Sequence, residues 1–161
     1  MNKFLNLALQ YAKRAALHNE VPVGAVVVYQ GKVIARGRNT KEKTQNVLGH
    51  AEINAIRKAQ KYLGTWRLVD CEVYTTLEPC LMCMAIMQQA RIKTTVYGAK
   101  DLKAGAVSLG FNLHQSKKLN HQIELVYDES TECAKILKSF FSELRRKKKQ
   151  IPLRKQRSAR C

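Results

Sequence analysis

Acidic residues are scarce in this chain of 161 residues: 12 Asp and Glu stand against 29 Lys and Arg, a formal charge of +17. Such an imbalance points to a polyanionic partner, nucleic acid or an anionic membrane surface, and by itself says nothing of catalysis. Long apolar runs are missing too. None approaches the ~20 residues of a membrane-spanning helix, yet 45% of the residues are hydrophobic, which excludes wholesale disorder. The start of the chain lacks the uncharged stretch of a secretion signal, because Asn2, Lys3, Asn6 and Gln10 interrupt it. An even cysteine set is also absent. The five cysteines lie at 71, 80, 83, 133 and 161, with a single C-x-x-C pair. This argues against a disulfide framework and for a reducing compartment, read as cytoplasmic, with a metal site in reach.

Neither a repeat nor an internal linker divides the chain, and its length suits one domain. That domain is expected over 1–146, followed by a flexible basic tail over 147–161. From Arg145 to Cys161 there are nine Lys and Arg and no acid, so residues 1–144 keep a charge of +8.

Phe4, Leu5, Ala8, Tyr11, Ala12, Ala15 and Ala16 recur at helical spacing and predict a helix over 2–18. The apolar run Val23–Tyr29, a turn at Gln30-Gly31 and the alternating Lys32–Arg38 predict a β-hairpin. Polar residues 40–46 read as a loop. Helices are expected over 50–63, 80–90 and 130–146, the last with Cys133, Ile136, Leu137, Phe140 and Phe141 turned inward. Strands are expected over 72–77, 93–97 and 122–127. Strands alternating with helices imply an α/β sandwich, its sheet mainly parallel apart from one antiparallel hairpin.

Three soft-metal ligands fall at the starts of predicted helices: His50, Cys80 and Cys83. The two cysteines share a helix face, and a helix N-terminus favours thiolate. One His and two Cys give zinc three protein ligands and leave a fourth position for water, the catalytic kind of site. Glu52 stands two residues beyond His50, suited to a base beside the metal's water. Each residue alone has a plainer reading. A C-x-x-C pair can be redox-active or simply buried, a His at a helix start can be a cap, and a lone Glu is commonly a solvated face. The whole string is more specific: His50-Ala51-Glu52, 26 residues, then Pro79-Cys80-Leu81-Met82-Cys83. It is the H-x-E…P-C-x-x-C signature of zinc nucleobase deaminases.

Further segments carry a fuller likeness. Glu20-Val21-Pro22-Val23-Gly24-Ala25-Val26, Thr76-Leu77-Glu78-Pro79-Cys80, Gly98-Ala99-Lys100-Asp101, Asn120-His121 and Phe140-Phe141 resemble the bacterial tRNA-specific adenosine deaminases, over about residues 3–146. The resemblance implies a three-layer α/β/α cytidine-deaminase-like fold with a mixed five-stranded sheet and an N-terminal antiparallel hairpin. It implies one Zn2+ per subunit, a homodimer, and conversion of adenosine to inosine at the wobble position of a tRNA, chiefly an arginine tRNA. By motif position His50, Cys80 and Cys83 would ligate zinc and Glu52 would shuttle protons. Asn39, helped by the backbone at Ala51, would hold the flipped base, and Glu78 would line the same pocket. Asp101 would lie near a neighbouring ribose, where a 2′-hydroxyl marks RNA. Lys103, Phe141 and Arg145 would contact the anticodon loop. Where the family commonly has Pro-Thr-Ala before the His-Ala-Glu triplet, this chain has Val47-Leu48-Gly49. That departure spares the ligands and alters the loop shaping the pocket.

Cys71 and Cys133 read as core thiols, and Trp66 as a packing anchor. His18, His114 and His121 read as surface or hydrogen-bonding residues. Met82, Met84 and Met87 lie on or beside a buried helix that could be core or dimer interface. Two rival functions share the metal motif. One is a zinc deaminase of a small nucleobase or nucleotide, of guanine or cytosine type, which leaves the charge of +17 unexplained. The other is a catalytically silent, basic RNA-binding module with a zinc, which would have no need of Glu52.

Overall fold

The computed structural model describes residues 2–150. The chain runs α1 (Lys3–Ala16), β1 (Gly24–Tyr29), β2 (Lys32–Arg38), α2 (Lys41–Thr44), α3 (Ala51–Leu63), β3 (Cys71–Thr75), α4 (Leu81–Gln89), β4 (Thr94–Tyr97), β5 (Glu124–Tyr127) and α5 (Thr131–Gln150). Asn2 starts α1 as its N-cap, its side chain accepting from the Phe4 amide at 2.8 Å, which satisfies one of the otherwise unpaired first-turn donors. The buried stripe of α1 is Leu5, Ala8, Leu9, Ala12 and Ala15. Helix α5 continues four residues past the expected end at Arg146. Positions 151–161, most of the expected basic tail, lie outside the described residues.

The sheet order is β2-β1-β3-β4-β5. Gln30 and Gly31 both have positive φ (49° and 72°), the backbone that a two-residue hairpin turn requires. Strand β1 pairs antiparallel with β2 and again antiparallel with β3, while β3, β4 and β5 are mutually parallel. A mainly parallel sheet with one antiparallel hairpin is therefore corrected to an even mixture. The reason is that the whole hairpin inserts against β3 with β1 as the inner strand. Being inner also explains the composition of β1: Ala25, Val26, Val27 and Val28 are buried on both faces, as a strand covered by helices on each side must be.

Two glycines set the layers. A Cβ on Gly24 would overlap the backbone of Ala8 and Ala12, and one on Gly37 would overlap that of Ala51 and Ala55. Gly37 lies opposite Ala25 in the ladder, so it faces the side of the sheet away from Gly24. Helix α1 thus presses on one face and the start of α3 on the other. Helix α5 packs beside α1 and α4 beside α3, completing three layers. Met84, Met87, Cys71 and Cys133 have no exposed surface, so both thiols are core residues.

Three local expectations are corrected. Residues 41–44 form the short helix α2 within the expected loop, for a reason given by Glu20 below. Trp66 is 51% exposed, with the Arg67 guanidinium 4.2 Å over its ring, because α3 ends at Gly64 and the chain leaves the core there. Phe141 is 39% exposed, since the inward stripe of α5 is Cys133 and Leu137 and Phe141 falls to its edge. Among the described residues, no helix is long and apolar enough to cross a membrane.

Candidate active site

The carboxyl ends of β2, β3 and β4 deliver Asn39, Cys80 and Asp101 to one rim of the sheet, where open α/β folds bind their ligands. His50 and Cys80 are the N-caps of α3 and α4, so two electropositive helix ends converge there. Nδ1 of His50 lies 3.7 Å from Cys80 Sγ and 3.4 Å from Cys83 Sγ. Bonds of ≈ 2.3 Å to sulfur and ≈ 2.0–2.1 Å to nitrogen at a tetrahedral angle place such atoms roughly 3.6 Å apart. The three ligand atoms, all within 4.8 Å of one another, are compatible with zinc held by Nδ1 and two sulfurs.

Protonation at the cluster follows from its geometry. A hydrogen bond from the Cys83 thiol, reinforced by His50, lowers Cys80 to about 4, so Cys80 is the thiolate. Cys83, hydrogen-bonded to that thiolate and fully buried, is pushed far up and keeps its proton. His50 is raised by its hydrogen bond to Cys80. Binding a metal would therefore displace a proton from Cys83.

Beside the cluster is a cavity of about 190 Å³ lined by His50, Ala51, Glu52, Asn39, Glu78, Cys80 and Asp101, with Val21, Val23 and Leu77 as its apolar wall. Glu52 is 4% exposed, and burial pushes its carboxyl up to about 7. A carboxyl that titrates near neutrality suits general acid–base work. Cys83 lies behind the cavity, with no surface of its own. Gly37 is the local reason that this wall exists, because it lets the first turn of α3 settle onto β2.

Glu78 does more than line the wall. Its Oε2 accepts from the Asp101 amide at 3.0 Å and the Ser108 hydroxyl at 2.6 Å, while Oε1 accepts from the Ser108 amide at 2.8 Å. It thereby clamps residues 101–108 over Cys80, which bridges to Gly105. Asp101 in turn accepts through Oδ1 from the amides of Lys103 and Ala104. Val47 and Leu48 are exposed at 68% and 44%, and Gly49 packs on the backbone of Lys41, which lines the cavity. The altered tripeptide therefore lies behind Lys41, outside both the cavity lining and the His50, Cys80 and Cys83 cluster.

A second hollow of about 480 Å³ adjoins the first, sharing Val21, Leu77, Asp101 and Ala104. Lys103, Phe141 and Arg145 line it together with Lys100 and Lys138. All eleven residues singled out in the sequence thus gather at the cluster or the two hollows. Sequence reasoning missed Ser108, Lys100 and Lys138, and gave Glu20 no role. Only Glu20 carried a usable signal, its place at the head of the Glu20–Val26 segment.

Known proteins resemble this chain in sequence and in fold. The chain is 44% identical to the tRNA-specific adenosine deaminase of Bacillus subtilis, over 91% of each chain. A solved tRNA A34 deaminase, studied for A-to-I editing at the wobble position of transfer RNA, superposes with a TM-score of 0.79 at 42% identity. It covers 83% of this chain and 98% of its own. A guanine deaminase from Bacillus subtilis is also similar, at TM-score 0.61 and 32% identity over 88% of this chain and 95% of its own. A model of the MafB19-like deaminases matches residues 1–145, and the chain belongs to that family.

Proposed function

We propose that this protein is a zinc-dependent enzyme that hydrolyses the adenosine at the wobble position of a tRNA to inosine, releasing ammonia. The catalytic domain spans 1–146, holds one Zn2+ on His50, Cys80 and Cys83, and works as a homodimer in the cytoplasm, an arginine tRNA being its substrate. When bound, zinc supplies a Lewis acid that makes water a nucleophile at neutral pH.

The remaining steps belong to side chains. Asn39 and the backbone at Ala51 orient the extruded base in the cavity, and Val21, Val23 and Leu77 exclude bulk water from it. Glu52 takes a proton from the attacking water and places it on N1 of adenine as C6 becomes tetrahedral. It then takes the proton of the new C6 hydroxyl and passes it to the departing amine, so that the C6–N6 bond breaks as the C6 carbonyl forms. One water is consumed and one ammonia leaves. Its near-neutral titration supports both acceptance and donation.

The observation that favours a folded RNA over a free base is the adjoining hollow. A free base has no phosphate to meet the second trough, which is lined by Lys100, Lys103, Lys138 and Arg145 around a half-exposed Phe141. Cationic side chains beside an exposed aromatic suit phosphates flanking an unstacked base. The guanine-deaminase reading stays as the second because that relative shares the fold at 32% identity. Product formation from an adenosine-containing anticodon stem-loop, from guanine and from cytosine decides between them. Inosine in the stem-loop alone supports the RNA reading, and xanthine from guanine at a comparable rate overturns it.

A further inference from the structure

Glu20 has no exposed surface, yet it touches neither the metal cluster nor the cavity. Its Oε1 accepts from the Lys43 amide at 2.7 Å and its Oε2 from the Glu42 amide at 3.1 Å. Those amides belong to the first turn of α2 and have no partner within the helix, so Glu20 is why residues 41–44 coil where the sequence alone reads as loop. Oε2 also lies 3.5 Å from Nδ2 of Asn39, the residue that lines the cavity just before α2.

A carboxylate accepts hydrogen bonds and never donates them. Asn39 can therefore face Glu20 only through its NH2 group, and Oδ1 is left for other partners. An asparagine without such a neighbour has two orientations of similar energy that exchange donor for acceptor. We propose that Glu20 is a positioning residue, which clamps the lip 39–43 and fixes the amide of Asn39 so that the cavity offers a base one pattern of donor and acceptor. This rests on the reading that the cavity takes a nucleobase.

Glu20→Gln is nearly isosteric and separates the clamp from packing. Its Oε1 can keep the Lys43 amide, but the new NH2 then meets the Glu42 amide and Asn39 donor to donor. Rotation of Asn39 relieves one of these conflicts and reverses what the cavity presents. A base bound in the wrong orientation still enters but is out of line with Glu52, so the loss falls on kcat.

The experiment compares wild type, Glu20→Gln, Asn39→Ala and the double variant. It measures zinc content, kcat and KM on the anticodon stem-loop, and hydrogen exchange at the Glu42 and Lys43 amides without RNA. Full zinc is expected throughout, with kcat roughly tenfold lower in Glu20→Gln and KM little changed. The double variant should be no slower than Asn39→Ala alone, and exchange at Glu42 should quicken in Glu20→Gln. Losses that multiply in the double variant, or a Glu20→Gln protein with wild-type kcat, overturn the proposal. A wild type inert on the stem-loop defeats the proposed function instead. The exchange comparison then still decides the clamp, with unchanged protection at Glu42 counting against it.

Discussion

Cys83 Sγ stands 3.4 Å from His50 Nδ1 across 33 residues of chain, close to the edge of a zinc tetrahedron. Two helix starts, capped by His50 and Cys80, create that closeness, and Glu52 is carried to the same place by its position in the first turn of α3.

The cluster should hold metal stoichiometrically. Purified protein is expected to contain one zinc per chain by elemental analysis, and Cys83→Ser to contain little. Chelation should lower the melting temperature of the wild type, because a ligand bound only by the folded state stabilises it. It should leave Cys83→Ser almost unmoved.

Gly37 should matter far from any chemistry. Gly37→Ala forces a methyl into the backbone of Ala51 and Ala55, where no flexible side chain can yield. Overpacking of this kind costs about 3 kcal/mol. Denaturant melts should show that loss, and zinc affinity should fall with it because His50 and Glu52 move with α3. A variant with normal stability and metal content would show that the sheet and helix are not in this contact.

Glu52 should destabilise the metal-free fold in a pH-dependent way. Burial raises its carboxyl from 4.5 to about 7, so the folded state holds the proton more tightly than the unfolded one. Its contribution to stability is complete below about pH 4.5 and is lost as pH rises through about 7. Glu52→Gln keeps the shape without the charge. In metal-free protein it should match wild type at low pH and exceed it above neutrality, by up to about 3 kcal/mol. Thermal melts from pH 4.5 to 8 check the sign, and a gap that narrows with rising pH contradicts it.

The 101–108 clamp is testable through Ser108, which gives Glu78 both its amide and its hydroxyl. Ser108→Ala removes the hydroxyl alone, a charge-assisted bond discounted here for solvent to about 1–2 kcal/mol. Proteolysis within 101–110 should quicken, while zinc content stays at one.

The cluster of His50, Cys80 and Cys83 was legible because its chemistry is written in residue types at fixed spacing, His50-Ala51-Glu52 and Pro79-Cys80 to Cys83. The hairpin was legible because Gln30-Gly31 and the flanking patterns are local signals. The pairing of β1 with β3 was not, since an apolar strand buried on both faces reads the same in either direction. Helix α2 was hidden because its first-turn donors are met by Glu20, some 20 residues earlier. Phe141 illustrates the limit of apolar periodicity, since it extends the stripe of α5 yet ends half-exposed at its edge, while Trp66 is exposed because it lies beyond the end of α3. The role of Glu78 was half legible. Its place before Cys80 put it at the pocket, but its partners at 101 and 108 come together only in the fold.

The most direct test of the account is inosine formation in an anticodon stem-loop by Glu52→Ala protein shown to retain one zinc per chain. The account predicts intact RNA from this variant and inosine at the wobble position from wild type, both measured by mass spectrometry of the digested RNA. Substantial inosine from the zinc-loaded variant would contradict it.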